Sequence, residues 1–125
     1  MSIHSQSQIL LVDDSSTVRK VVRELLEKLG YKNIDEASDG EAALSRIGEK
    51  TYALVIADWN MEPMNGQVLL ERIREDETHK NLRFVMMTAE VAIEKIIQAN
   101  HARVSGFINK PFTAQALRIK IAQID

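Results

Sequence analysis

Compact apolar runs alternate along the chain with longer stretches whose apolar positions recur every three or four residues. The runs ILLV (9–12), ALVIA (53–57), RFVMMT (83–88) and GFIN (106–109) predict strands, and NIDEA (33–37) predicts a weaker one. Residues 16–29 place Val18, Val21, Val22, Leu25, Leu26 and Leu29 on one helical face, with Gly30 as the stop signal. Further helices are predicted over 40–48, over 66–76 with Val68, Leu69 and Ile73 inward, over 91–100, and over 113–124 with Ala114, Leu117, Ile121 and Ile124 inward. The pattern is strand then helix, five times. Strands without polar alternation are buried on both faces, which means a parallel sheet covered by helices on each side. The fold class is therefore doubly wound α/β in three layers, with right-handed crossovers.

In such a sheet, ligands bind outside the carboxyl ends of the strands. The first strand runs into Asp13-Asp14, the third into Asp58, the fourth into Thr88 and the fifth into Asn109-Lys110-Pro111. Three carboxylates, a hydroxyl and an ammonium are thus expected in one crevice. Clustered carboxylates repel and need compensation. A hard cation such as Mg²⁺, which takes oxygen ligands and keeps waters or phosphate oxygens, suits them. A lysine can hold phosphoryl oxygens as a point charge, and a carboxylate can accept a phosphoryl group. These parts point to Mg²⁺-assisted phosphorylation of an aspartate. Asp58, on the central strand, is the expected acceptor, and Asp13 and Asp14 suit the metal.

Plainer roles exist for the same residues. Asp13 to Ser16 can cap the first helix and Thr88 the fourth. Trp59 can cover the crevice rim, Met86 and Met87 can fill the strand's packing, and Glu62 can be a solvated loop acid. His4, His79 and His101 have no ligand spacing among themselves.

Bulk properties narrow the classes further. A chain of 125 residues with 45% apolar and 27% charged positions is an ordinary single globular domain, expected to span 1–125 with residues 1–7 as a flexible tail. A formal net charge of −2 gives no reason to expect nucleic acid or a membrane surface as partner. The chain has no cysteine, hence no disulfide framework or thiolate metal site. The polar N-terminus lacks the order of a signal peptide, and no apolar run approaches the ~20 residues of a membrane span. A cytoplasmic location is expected.

"LVDD", "DWNM…M.G", "MTAE" and "GFINKPF", in this order and spacing, resemble the receiver domain of bacterial two-component response regulators, and "VDDSSTVRKVVRELLEKLGY" with "DWNM" is similar to its stand-alone chemotaxis regulators. The resemblance implies a flavodoxin-like (βα)5 fold with strand order 2-1-3-4-5. It implies that Asp58 takes a phosphoryl group from a histidine kinase, and that Asp13, Asp14, Asp58 and the Asn60 carbonyl hold Mg²⁺. Lys110 then contacts the phosphoryl group, its bond to Pro111 is cis, and Thr88 and Phe107 are the switch pair. Ile96, Phe107 and Lys120 belong to a partner-binding face. Bottom-up, Ile119 off the buried stripe of its helix points to the same face. The implied partner is a flagellar motor switch protein or a phosphatase of the relay, the implied state a monomer, and the protein an acceptor that assists its own phosphorylation and dephosphorylation, not an enzyme with a diffusing substrate. Asn60 and Glu90 resemble the site neighbours of fast-cycling members. One departure stands out: many relatives read Met-Pro-x-Met-(Asp/Asn)-Gly after the site, whereas here Met61-Glu62-Pro63-Met64-Asn65-Gly66 shifts the proline by one place.

Alternatives are a receiver in another pathway, a phosphate sink, or a Mg²⁺-dependent aspartyl-phosphate phosphatase. A phosphatase of the haloacid dehalogenase type needs Asp-x-Asp at the first strand, and the sequence there is Asp-Asp-Ser. A dinucleotide or flavin binder needs a glycine-rich first turn, which "DDSSTV" lacks.

Overall fold

The computed structural model describes residues 2–89 and 92–125, without the Ile93 side chain. Glu90 and Val91, the latter the expected start of the fourth helix, lie outside the described residues. The elements are β1 (Gln8–Val12), α1 (Ser16–Lys28), β2 (Asn33–Ala37), α2 (Gly40–Glu49), β3 (Leu54–Asp58), α3 (Gly66–Glu75), β4 (Arg83–Thr88), α4 (Ile93–His101), β5 (Gly106–Asn109) and α5 (Ala114–Ile124). All strand pairs are parallel, and the order is β2-β1-β3-β4-β5.

Successive side chains of a strand point to opposite faces. Here both faces are dry. In β1, Ile9 and Leu11 pack into one cluster with Val22 and Leu26 of α1 and Leu117 and Ile121 of α5. Leu10 and Val12 join the other, with Ala43 and Ile47 of α2 and Leu69, Leu70 and Ile73 of α3. β3 repeats the division with Leu54 and Ile56 against Val55 and Ala57, and β4 with Val85 and Met87 against Phe84 and Met86. That double burial is why the central strands carry no polar alternation. The edge strands β2 and β5 keep partly exposed positions, hence their weaker signal.

Two helical stripes differ from expectation. Val21 is 51% exposed and Val68 36% exposed. Val21 sits at the edge of the α1 stripe, whose centre is Val22 and Leu26. In α3 the inward set is Gly66, Leu69, Leu70 and Ile73, so Leu70 takes the place expected for Val68. Residues 2–7, expected as a flexible tail, are docked. Ile3 is buried in the α1/α5 core and its N–H donates to the Asp125 carboxylate at 2.9 Å. Asn33 Nδ2 also donates to the Gln6 carbonyl at 2.8 Å. One apolar side chain in a polar segment and a few hydrogen bonds anchor it.

Candidate functional site

Asp13, Asp14 and Asp58 meet at the carboxyl edge of the sheet, each offering an oxygen within 4.8 Å of the others. Asp13 extends β1, donating its N–H to the Ala37 carbonyl at 3.2 Å, and its side chain is buried. One carboxylate oxygen accepts the Ser15 N–H at 2.9 Å and the other faces Lys110 Nζ at 3.2 Å. Its backbone carbonyl accepts Arg19 Nη1 at 2.6 Å. The cap of α1 is Ser15, whose hydroxyl accepts the Val18 N–H at 3.2 Å. The helix therefore does not need either aspartate as its cap, and Asp14 stays exposed.

Asp58 is buried at the end of β3, and the next residue keeps the ladder going, Trp59 N–H donating to the Met87 carbonyl at 2.9 Å. The following loop is held from below by buried Met61 and Met64. It turns into α3, where Asn65 caps the Val68 N–H at 2.9 Å and the Gly66 N–H donates to the Trp59 carbonyl at 2.9 Å. A Cβ on Gly66 would lie 2.4 Å from the Asp58 carbonyl oxygen and 2.7 Å from Met86 Sδ. Only glycine permits that approach, so Gly66 sets how α3 meets β3. The sequence marks it as a helix start and motif position and gives no sign of this contact. Gly40 plays the same part for Met64, whose Sδ would be 2.4 Å from its Cβ.

Lys110 reaches back into the crevice from the end of β5. Its Nζ lies 2.9 Å from Asp58 Oδ1 and 3.2 Å from Asp13 Oδ2. Its N–H donates to the Thr88 carbonyl at 2.8 Å, and its peptide bond to Pro111 is cis, as is Glu62–Pro63. Burial works against the ammonium, yet its hydrogen bond to Asp58 and the charges of Asp13 and Asp58 hold its pKa above the ordinary lysine value. The Asp13 carboxyl is also pushed up, first by burial and then by the Asp58 charge, against the Ser15 N–H and Lys110. Asp13 and Asp58 thus share one ammonium, with the Asp14 carboxylate beside them. Crowded oxygen donors in excess of cationic charge fit a hard divalent ion, and Asp13, Asp14 and Asp58 could hold Mg²⁺.

Thr88 is buried at the end of β4, in register with Asn109. It is not the cap of α4, which begins after Ala92 without a side-chain cap. Phe107 is half-buried and packs on the core that contains its partner in register, Met86. Ile96 is half-buried on α4, and Lys120 of α5 lies over Gly106, its Cδ 3.1 Å from where a Cβ would be. Among the described residues of these two helices, Ile97 and Ile119 are the exposed large apolar ones, 51% and 44% exposed.

Trp59 is a core residue as well as a neighbour of the site: it is 6% exposed, and Lys95 Nζ of α4 lies 5.3 Å from its ring centroid. Met86 and Met87 are fully buried strand packing, and Glu62 is exposed. Sequence reasoning missed the support of β1 and β2. Glu36 is held by Arg19 Nε at 2.9 Å and Arg23 Nε at 2.6 Å, so Arg19 ties it to the Asp13 backbone. Burial raises the Glu36 pKa, but the hydrogen bonds and charges of Arg23 and Arg19 prevail and hold it below the usual carboxylate value.

Residues 9–122 match the response regulator receiver domain family. The chain is 45% identical over 122 residues to the chemotaxis protein CheY-3 of Vibrio cholerae, covering 98% of this chain and 94% of that protein. It is 44% identical over 117 residues to the chemotaxis protein CheY of Pseudomonas aeruginosa, covering 94% of each. Among solved structures, Vibrio cholerae chemotaxis protein CheY4 superposes with a TM-score of 0.90 at 28% identity, over 96% of this chain and 99% of that one. The acid cluster at the strand ends and the lysine that spans it thus sit in a chain that belongs to the response regulator receiver domain family.

Proposed function

We propose that this chain is a phosphorylation-activated switch of the chemotaxis type. A histidine kinase supplies the phosphoryl group, Asp58 accepts it, and the modified domain changes its affinity for a partner such as a flagellar motor switch protein. The observation that carries this reading is Lys110 Nζ lying between Asp58, at 2.9 Å, and Asp13, at 3.2 Å. That geometry offers a cation to phosphoryl oxygens carried on Asp58.

In the reaction, an Asp58 carboxylate oxygen attacks phosphorus while the bond from phosphorus to the donor breaks. Bound by Asp13, Asp14, Asp58 and the Asn60 carbonyl, Mg²⁺ would offset the negative charge brought together there. Lys110 exchanges carboxylate oxygens for phosphoryl oxygens, and the Thr88 hydroxyl donates to another. Phosphorylation adds about −1.5 to −2 charge. A charge-assisted hydrogen bond contributes roughly 1.5–3 kcal/mol. Carrying a two-state equilibrium from 1:99 to 99:1 takes about 5.5 kcal/mol. Two or three such bonds reach that range, so the switch requires no refolding. Thr88 drawn towards the phosphoryl group leaves room beside β4 and β5. Phe107 turns into it and reshapes the face that holds Ile96 and Lys120.

Acetyl phosphate with Mg²⁺ tests the acceptor. Intact-mass spectrometry should show one added phosphoryl group on the parent chain and none on Asp58→Asn. Persistence of the label in that variant would remove Asp58 from its role.

A further inference from the structure

The last turn of α4 is fixed from several sides. Gln67 of α3 is 6% exposed, and its Nε2 donates to the Gln98 carbonyl at 3.0 Å and to Glu71 Oε2 at 3.0 Å. Both neighbours are acceptors, so the amide nitrogen faces them. Oε1 turns the other way, buried and without a donor among the described residues. Arg74, two turns further along α3, donates to the Ala102 carbonyl at 3.1 Å and to the Arg103 carbonyl at 2.8 Å. Past the helix, Arg103 takes a left-handed backbone with φ 59°. The Arg103 and Val104 N–H groups close back on the Asn100 and Ala99 carbonyls, each at 3.0 Å. Ser105 then joins β4, exchanging hydrogen bonds with Phe84 at 2.9 Å. The first turn is held differently. It follows Ala92, which offers no side-chain cap, and its Lys95 meets the loop after β3 through the Trp59 ring.

We propose that Gln67 is a positioning residue for α4: it pins the last turn of that helix to α3, so that phosphorylation swings the first turn about a fixed end. The inference rests on Asp58 phosphorylation reshaping the face that includes Ile96. A buried amide is costlier to place than an apolar side chain of similar length, and here one of its two polar atoms lacks a partner. Packing alone would be served at least as well by methionine. What the amide adds is a directed bond to a carbonyl of another helix. That carbonyl also accepts the Ala102 N–H, at a long 3.3 Å, so Gln67 shares the oxygen on which the helix's own ladder ends. The start of α3 is in turn tied to the site, since the Gly66 N–H donates to the Trp59 carbonyl at 2.9 Å, one residue before Gln67. The anchored end of α4 therefore stays in register with the strand that carries Asp58. The end that follows Thr88 in the chain carries the looser contact, an ammonium over a ring.

Hydrogen–deuterium exchange tests this on the full chain, with beryllofluoride and Mg²⁺ as the phosphoryl mimic and Gln67→Met as the variant. Glu71 is exposed and the Gln98 carbonyl keeps the Ala102 N–H, so the substitution leaves neither acceptor buried and alone. In the parent, the mimic should change exchange over residues 94–97 and leave 98–104 as they were. In Gln67→Met, amides of 98–104 should exchange about fivefold faster without the mimic, the worth of one hydrogen bond, and should respond to it along with 94–97. Exchange in β1 and α1 should match the parent's, which separates a local release from a loss of global stability. A parent response spread evenly over 94–104, or a variant whose last turn exchanges and responds like the parent's, overturns the inference while leaving the phosphorylation switch standing. Beryllofluoride that alters no amide of the parent, the loop after β3 included, removes the switch and the inference with it.

Discussion

Gly66→Ala is a one-carbon perturbation with a severe steric consequence. The new Cβ would stand 2.4 Å from the Asp58 carbonyl oxygen, 2.7 Å from Met86 Sδ and 3.1 Å from the Trp59 Cα. Met86 is fully buried, and two of the three clashing atoms are backbone, so turning one side chain away does not relieve the contact. Relief requires α3 to move off β3. Overpacking of this kind costs typically about 1–3 kcal/mol. Unfolding entropy of about 2.1 cal/mol/K per residue converts that into a fall in Tm of roughly 4–12 °C for a chain of this length. The matched control is Gly48→Ala in α2, where the added carbon meets nothing within 4 Å. Removing a helical glycine there should stabilise by about 0.5–1 kcal/mol. Thermal unfolding followed by circular dichroism measures both. The acetyl phosphate assay adds a second readout, since a displaced Asp58 loop should also slow phosphorylation in Gly66→Ala. An unchanged or raised Tm for Gly66→Ala, on a par with Gly48→Ala, would refute the close-approach role of Gly66.

Two further outcomes follow from other parts of the molecule. Glu36 has a folded pKa below its ordinary value, so its stabilising contribution is complete above the unfolded pKa of about 4.3 and is lost as pH falls through the folded value. Urea unfolding between pH 6 and pH 3 should therefore show Glu36→Gln less stable than the parent at pH 6, with the gap closing below about pH 4.3; a gap that stays constant would place the effect outside the ion pairs. Phe107→Ala should leave phosphorylation of Asp58 intact and weaken phosphorylation-dependent partner binding. Equal affinity of the fully phosphorylated variant and parent would move the output to another face.

Strand identity was legible because β1, β3 and β4 send alternate residues into two dry cores and so appear as unbroken apolar runs. Their ends were legible for the same reason: a charged residue directly after such a run has to sit at the sheet's edge. Helical faces were less so. Val21 and Val68 are apolar residues that the burial pattern leaves outside, and a β-branched residue at a stripe's edge looks the same in sequence whichever way it points. Contacts between distant elements were not legible at all. The nearness of Gly66 to Asp58 and of Gly40 to Met64 depends on how helices pack on the sheet, and Glu36 meets Arg19 and Arg23 only once β2 lies beside β1. Ile3 had no periodic context to announce its burial.

Trp59 is the chain's sole tryptophan, one residue after Asp58, shielded from solvent and carrying an ammonium from α4 at 5.3 Å from its ring centroid. An indole's emission depends on local field and on water contact, and both are governed here by groups on either side of the crevice. Colour and intensity of that one fluorophore therefore register the spacing between α4 and the loop after β3. The domain can be followed in real time by its own light, with no dye attached and no background from a second indole.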